Sequence, residues 1–176
     1  GNVRIERVVA DVRNRLLGDT ASYCTTFIDF YGIDPGFPGK AEARTKGTIQ
    51  EKAQCLQAAM TAHVAAAVGE GAVRRFIPYV QMHEFEGLLF SDPQGLAEGL
   101  CHIGKADTFV QVRRQFATPE DINDSPATAP SKRILDCMSG YEKVLHGSLA
   151  ALSIGLACIR RECSLFDDWL RRIERA

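Results

Sequence analysis

Three ionisable side chains, His83, Glu84 and Glu86, stand between an apolar run that ends at Met82 and the apolar Leu88, Leu89 and Phe90. Burying a charge without a partner is costly, so such clusters persist where a metal ion or a reacting group supplies the partner. Carboxylate oxygens suit Mg²⁺, with Mn²⁺ as the alternative, and a divalent ion held there would serve phosphoryl transfer. Asp29 closes a second strand-like run, residues 23–28. In open parallel α/β sheets, ligands bind just outside the carboxyl ends of strands. Asp29, Glu84 and Glu86 are therefore the expected metal ligands, and His83 the expected proton-transfer or orienting group of the same catalytic set. Geometry sets a condition on that reading. In a regular helix Glu84 and Glu86 would lie about 200° apart and could not face one ion. They share a side only if the chain stays extended through Glu86. The alternative is that both occupy a helix's first turn, where the macrodipole favours acidic residues, and that His83 is a hydrogen-bonded structural group.

A second cluster is Ser131-Lys132-Arg133, followed by Tyr141, Lys143 and His146. Lys132, Arg133 and Lys143 are the expected phosphate contacts; a solvated helix face is the alternative. Other chemistries lack their patterns. There is no GxxxxGK[ST] phosphate loop and no serine in a G-x-S-x-G elbow. The cysteines at 24, 55, 101, 137, 158 and 163 include no CxxC pair, which argues against zinc. Cys24, Cys55 and Cys158 fall in apolar patterns and read as buried, reduced thiols.

The elements that must position these residues follow from periodicity. Residues 4–17 place Ile5, Val8, Val9, Val12, Leu16 and Leu17 at helical spacing. Residues 23–28 and 74–82 read as strands, the second at an edge or bulged because Pro78 cannot donate to a ladder. Thr48 and Glu51 form a capping box for a helix that ends at Gly69-Glu70-Gly71. Residues 83–90 begin a short helix. Asp92-Pro93 and Thr118-Pro119 signal further helix starts, and residues 122–131 read as a mobile loop. Leu145, Leu149, Leu152, Leu156 and Ile159 form one apolar face, and Ser164 caps a last helix that buries Phe166, Trp169, Leu170 and Ile173. Strands separated by long helices imply parallel pairing. The expected fold is α/β: a small, mostly parallel sheet flanked by helices, with a helical C-terminal third, in a single domain (core about 1–92, helical part about 93–176). Two strands are too few for a stable sheet, so a preceding strand is expected outside this chain.

At 176 residues there is room for one sizeable core. The formal net charge of −1 supplies no long-range attraction to polyanions, so any DNA contact must rest on a local patch. No apolar run approaches a membrane span and no signal peptide opens the chain, which leads to the expectation of a cytoplasmic protein without membrane contact.

The stretches 25–32 with Phe37-Pro38-Gly39, 76–92, 130–134, Tyr141-Glu142-Lys143 and 154–169 together resemble the bacterial family called domain of unknown function 4276. His83-Glu84-Phe85-Glu86 is the most specific part. That family is similar to the Toprim-like group of nucleases, primases and topoisomerases, in which carboxylates hold Mg²⁺ for phosphodiester chemistry. The resemblance implies a Toprim-like core, with Asp29 as the first acidic residue of an Asp-x-Asp element and Tyr31 where the second would stand. It also implies a preceding strand bearing a catalytic glutamate, and action on DNA beside an ATPase partner in bacterial defence. The expectation is thus a metal-dependent nuclease or phosphoryl-transfer domain. The alternative is a non-catalytic protein-interaction module whose polar segment is a structural network.

Overall fold

A computed structural model describes residues 3–122 and 128–176, and they pack as two units. The first unit comprises residues 1–82 with 168–176. Helix α1 (Ile5–Gly18) buries Ile5, Val8, Val12 and Leu16 at the expected spacing, whereas Leu17 is exposed. Strands β1 (Cys24–Thr25) and β2 (Ile28–Asp29) follow, then a 3₁₀ turn and the short α2 (Lys40–Ala43). Helix α3 (Ile49–Val73) begins at the Thr48–Glu51 capping box, and its Leu56, Met60 and Val64 are fully buried at successive turns. Gly69 interrupts it with φ +82°, a value open to glycine, but helix resumes as far as Val73 instead of stopping there. Strands β3 (Phe76–Ile77) and β4 (Val80–Gln81) complete the set.

The two expected strands each appear as two short pieces, and the pairing is parallel: β1 with β3 and β2 with β4. The molecule is α/β. The break has a chemical cause. Pro78 has no N–H to give, so the ladder lapses beside it. The Thr26 hydroxyl fills the gap, accepting the Tyr79 N–H at 3.0 Å and donating to the Tyr79 carbonyl at 3.1 Å. Arg75 ties α1 to the strands by donating to the carbonyls of Leu16, Asp19 and Ser22. Trp169 stacks on Tyr79 with centroids 4.7 Å apart, and its indole N–H donates to Thr25.

The second unit comprises residues 83–167. A 3₁₀ helix spans Phe85–Ser91, and Asp92 then caps α4 (Pro93–Gly99), with proline at its first position as expected. Helices α5 (Ala106–Arg113), α6 (Pro130–Cys137), α7 (Lys143–Ile154) and α8 (Leu156–Glu162) follow, and α9 (Ser164–Glu174) begins here. Of the loop expected over 122–131, residues 123–127 lie outside the described residues; Ile122 is buried, and Pro130-Ser131 already belong to α6. Helices α4 and α7 meet through small residues. A Cβ built on Gly99 would stand 2.4 Å from the Ala150 Cα, and one on Gly95 would meet Ile154 at 3.1 Å.

Leu145, Leu149, Leu152 and Leu156 are exposed and Ile159 is buried, because α7 turns its small residues Gly147 and Ala150 toward its neighbours. Two expectations about burial do not hold. In α9 Phe166 is buried but Trp169 and Leu170 are half-buried and Ile173 is exposed. Among the cysteines, all free, Cys163 is the buried one; Cys24, Cys55 and Cys158 are partly exposed. No single helix among the described residues is long and apolar enough to cross a membrane.

Glu120 is 1% exposed, and its two oxygens accept the N–H groups of Leu165 and Phe166 at the start of α9, each at 3.0 Å. Burial pushes its carboxyl up to about 7, against the backbone hydrogen bonds that lower it. The folded state therefore holds a proton that the unfolded chain releases near 4.5. The stability this contributes is complete below 4.5 and is lost as pH rises through about 7. Urea midpoints measured across that window should fall for the natural protein and fall less for Glu120→Gln. The α4–α7 contact predicts that Gly99→Ala destabilises by about 1–3 kcal/mol through overpacking. Gly18→Ala, where a Cβ meets nothing within 4 Å, should leave the midpoint unchanged or raise it.

Candidate functional site

The site residues of the second unit are set by one unusual backbone turn. His83 is buried and has φ +70°, a left-handed conformation uncommon outside glycine. Glu84 is extended, with φ −141° and ψ 157°, and the 3₁₀ helix begins only at Phe85. The chain is thus extended at Glu84 and tightly wound by Glu86. The condition set from the sequence, a chain extended through Glu86, is not met, yet the carboxylates do not sit about 200° apart around one regular helix, because Glu84 stands before the 3₁₀ turn that carries Glu86. Both reach the same cation.

That cation is Lys143, the first residue of α7. Its Nζ lies 3.2 Å from Glu84 Oε1 and 3.2 Å from Glu86 Oε1. The Ser131 N–H, near the start of α6, donates to Glu84 Oε2 at 3.1 Å. The Tyr141 hydroxyl donates to Glu86 Oε1 at 3.3 Å. Lys143 and Tyr141 thus meet the same oxygen of Glu86. Glu86 is 2% exposed and Lys143 54%. Room for this arrangement comes from Gly147 on α7, where a Cβ would stand 3.1 Å from the Tyr141 hydroxyl and 3.5 Å from the Phe85 ring.

Electrostatics follow from these contacts. Burial alone would raise the Glu84 carboxyl, but hydrogen bonds from Ser131 and the Lys143 charge overcome it and hold Glu84 below its usual range. Burial opposes the charge of Lys143, yet Glu86 and Glu84 win and raise its ammonium above the usual range. Tyr141 is pushed up by burial and by the Glu86 charge, so it remains a donor. Two carboxylates and one ammonium leave the cluster with one net negative charge.

The other expected site residues are placed as follows. Asp29 ends β2 in the first unit, paired in register with Gln81. Lys132 is exposed on α6, next to Ser131. Arg133 donates to the Thr128 carbonyl at 2.8 Å and lies 5.3 Å from the Phe116 ring centroid. Lys143, expected at a phosphate, is ion-paired to the two glutamates. Among the described residues no three His, Cys, Asp or Glu side chains form a group able to hold a metal ion. Sequence reasoning grouped Tyr141 with the basic cluster and did not foresee its bond to Glu86; no local pattern marks a contact 55 residues apart.

The pH dependence of Glu84 has a definite sign. A lowered carboxyl contributes stability that is present above its unfolded value of 4.5 and is lost as pH falls through the lower folded value. Acid-denaturation curves should therefore show a steeper loss below 4.5 for the natural protein than for Glu84→Gln.

No curated protein and no solved structure matches the chain. A family model described as a domain of unknown function covers residues 1–174. With nearly its whole length matched, including the segment that carries Glu84 and Glu86, the chain belongs to the family DUF4276.

Proposed function

We propose that this protein is a metal-dependent phosphoryl-transfer domain of nuclease type, with Glu84 and Glu86 as its ion-binding carboxylates. The observation that carries this reading is the convergence of the two glutamates on one cation. Mg²⁺ takes hard oxygen ligands, keeps several waters and is commonly held by one or two carboxylates plus substrate phosphates. Glu84 and Glu86 would hold Mg²⁺ or Mn²⁺, and the ion would neutralise charge on the transferring phosphoryl group. His83 acts by position, since its left-handed backbone sets the direction in which Glu84 leaves the turn. Exposed Lys132 is available to a phosphate. Arg133 contributes its fixed charge from beside Phe116. The proposal stands on the glutamate pair of the second unit; Asp29, at a strand's carboxyl end in the first unit, is not part of it.

DNA as substrate and an ATPase partner in bacterial defence extend the proposal through the Toprim-like resemblance, which is an argument by analogy. A second reading has its own support. The oxygens that face Lys143 and Tyr141 are already satisfied, and Val144, Leu152 and Leu156 stand exposed on α7 and α8. That combination suits a non-catalytic interaction module with a structural polar network.

The test is nicking of supercoiled DNA by the full-length protein with Mg²⁺ or Mn²⁺. The proposal predicts metal-dependent nicking that Glu84→Gln abolishes while the fold, read by circular dichroism, persists. Cleavage at the natural level by Glu84→Gln overturns it. Absence of cleavage, with no change in melting temperature at millimolar Mg²⁺, favours the interaction module.

A further inference from the structure

We propose that the exposed apolar face of α7 binds the same face of a second copy of this chain, as a two-fold pair of antiparallel helices. The proposal is independent of the chemistry at Glu84 and Glu86. Its first ground is the shape of the face. Val144, Leu145, Leu149 and Leu152 surround Ser148 on the helix surface, and all five are exposed. A small side chain ringed by four larger apolar ones makes a hole of the kind that receives a knob from a facing helix. The floor of the hole is already satisfied. The Ser148 hydroxyl donates to the Val144 carbonyl at 2.6 Å, so an apolar group can cover it without leaving an unpaired donor.

The second ground is that the same face carries the knob. Leu152, one turn beyond Ser148, is 79% exposed. A two-fold axis at the level of residue 150 sets Leu152 of each copy over Ser148 of the other, because the two positions lie equally far from 150. The same operation sets Leu145 at Gly155, where a Cβ would meet nothing within 4 Å, and Val144 beside Leu156. Large residues thus meet small ones, and one patch serves both copies, as an isologous interface requires.

The third ground is charge. From Val144 to Ile159 there is no Asp, Glu, Lys or Arg. A second copy therefore meets the face without like-charge repulsion and without burying an unpaired charge. The cations that border the run are engaged: Lys143 with Glu84 and Glu86, Arg160 with Asp167, and Arg161 with Glu162. That does not suit an anionic lipid surface, to which an interfacial helix presents its basic residues. The chain bends by 85° between α7 and α8, which confines the contact to α7 and the start of α8. An interface of that length is at the small end of the range, so the association depends on concentration.

The experiment is sedimentation of the full-length protein from micromolar to millimolar concentration, for the natural protein, Leu152→Glu, Ser148→Leu and Leu17→Glu. Leu17 is exposed on α1, in the first unit, and serves as the control. The natural protein and Leu17→Glu should dimerise reversibly and alike, whereas Leu152→Glu and Ser148→Leu should each bind at least tenfold more weakly. Ser148→Leu separates a keyed pairing from a merely adhesive face, which an added leucine would make associate more tightly. Tighter association of that variant overturns the proposal. So does a natural protein that stays monomeric throughout, whether or not its face binds phospholipid vesicles, and so does a dimer that both face variants leave intact. Should those variants not fold, dilution of the natural protein decides: the amide resonances of residues 144–156 should shift, and shifts confined to other residues contradict the pairing.

Discussion

One buried and one partly buried carboxylate sharing a single ammonium impose the constraint around which the second unit is arranged. Glu84 and Glu86 would repel each other in a medium of low polarity unless a positive charge stood between them. Lys143 provides it at 3.2 Å from each, and the surrounding elements meet the needs of the carboxylates. Helix α6 offers a backbone N–H through Ser131, and Tyr141 offers its hydroxyl. Gly147 keeps α7 thin where that hydroxyl passes. The passage from an extended Glu84 into the 3₁₀ turn at Phe85 lets the two side chains share a side, and the left-handed His83 sets the direction in which the segment leaves β4.

In the first unit, helix packing and side-chain hydrogen bonds carry what so short a sheet cannot. Each ladder holds two residues per strand, and the interval between them is bridged by Thr26. Arg75 gathers three carbonyls where α1 turns toward β1, which satisfies groups that would otherwise need water. These contacts place Asp29 at the carboxyl end of β2.

Much of this was legible in the residues, for local reasons. The Thr48–Glu51 box and the Asp92-Pro93 start are short-range hydrogen-bond patterns, and both are present. Pro78 announced a break in its strand because the missing donor belongs to the residue itself. What could not be read depends on distant partners or on a few dihedral angles. Nothing in residues 83–90 specifies that Glu84 is extended and that a 3₁₀ turn begins at Phe85, and those dihedrals decide whether the glutamates meet. Lys143 looked like a phosphate contact because its charge was visible, while its partners lie 59 and 57 positions earlier. The leucines of α7 showed regular spacing, but spacing reports a helical face and not what covers it. Glu120 looked like part of a helix start; its burial against α9 is a tertiary fact.

The account depends on Lys143 and Glu86 interacting strongly as a pair, beyond being near one another. A double-mutant cycle with Lys143→Met, Glu86→Gln and the combined variant, followed by urea unfolding at neutral pH and low salt, measures that coupling directly. For a charge pair in which one partner is almost fully buried, the account predicts a coupling of about 1.5 kcal/mol or more. Additive effects, with coupling within about 0.3 kcal/mol of zero, would contradict it.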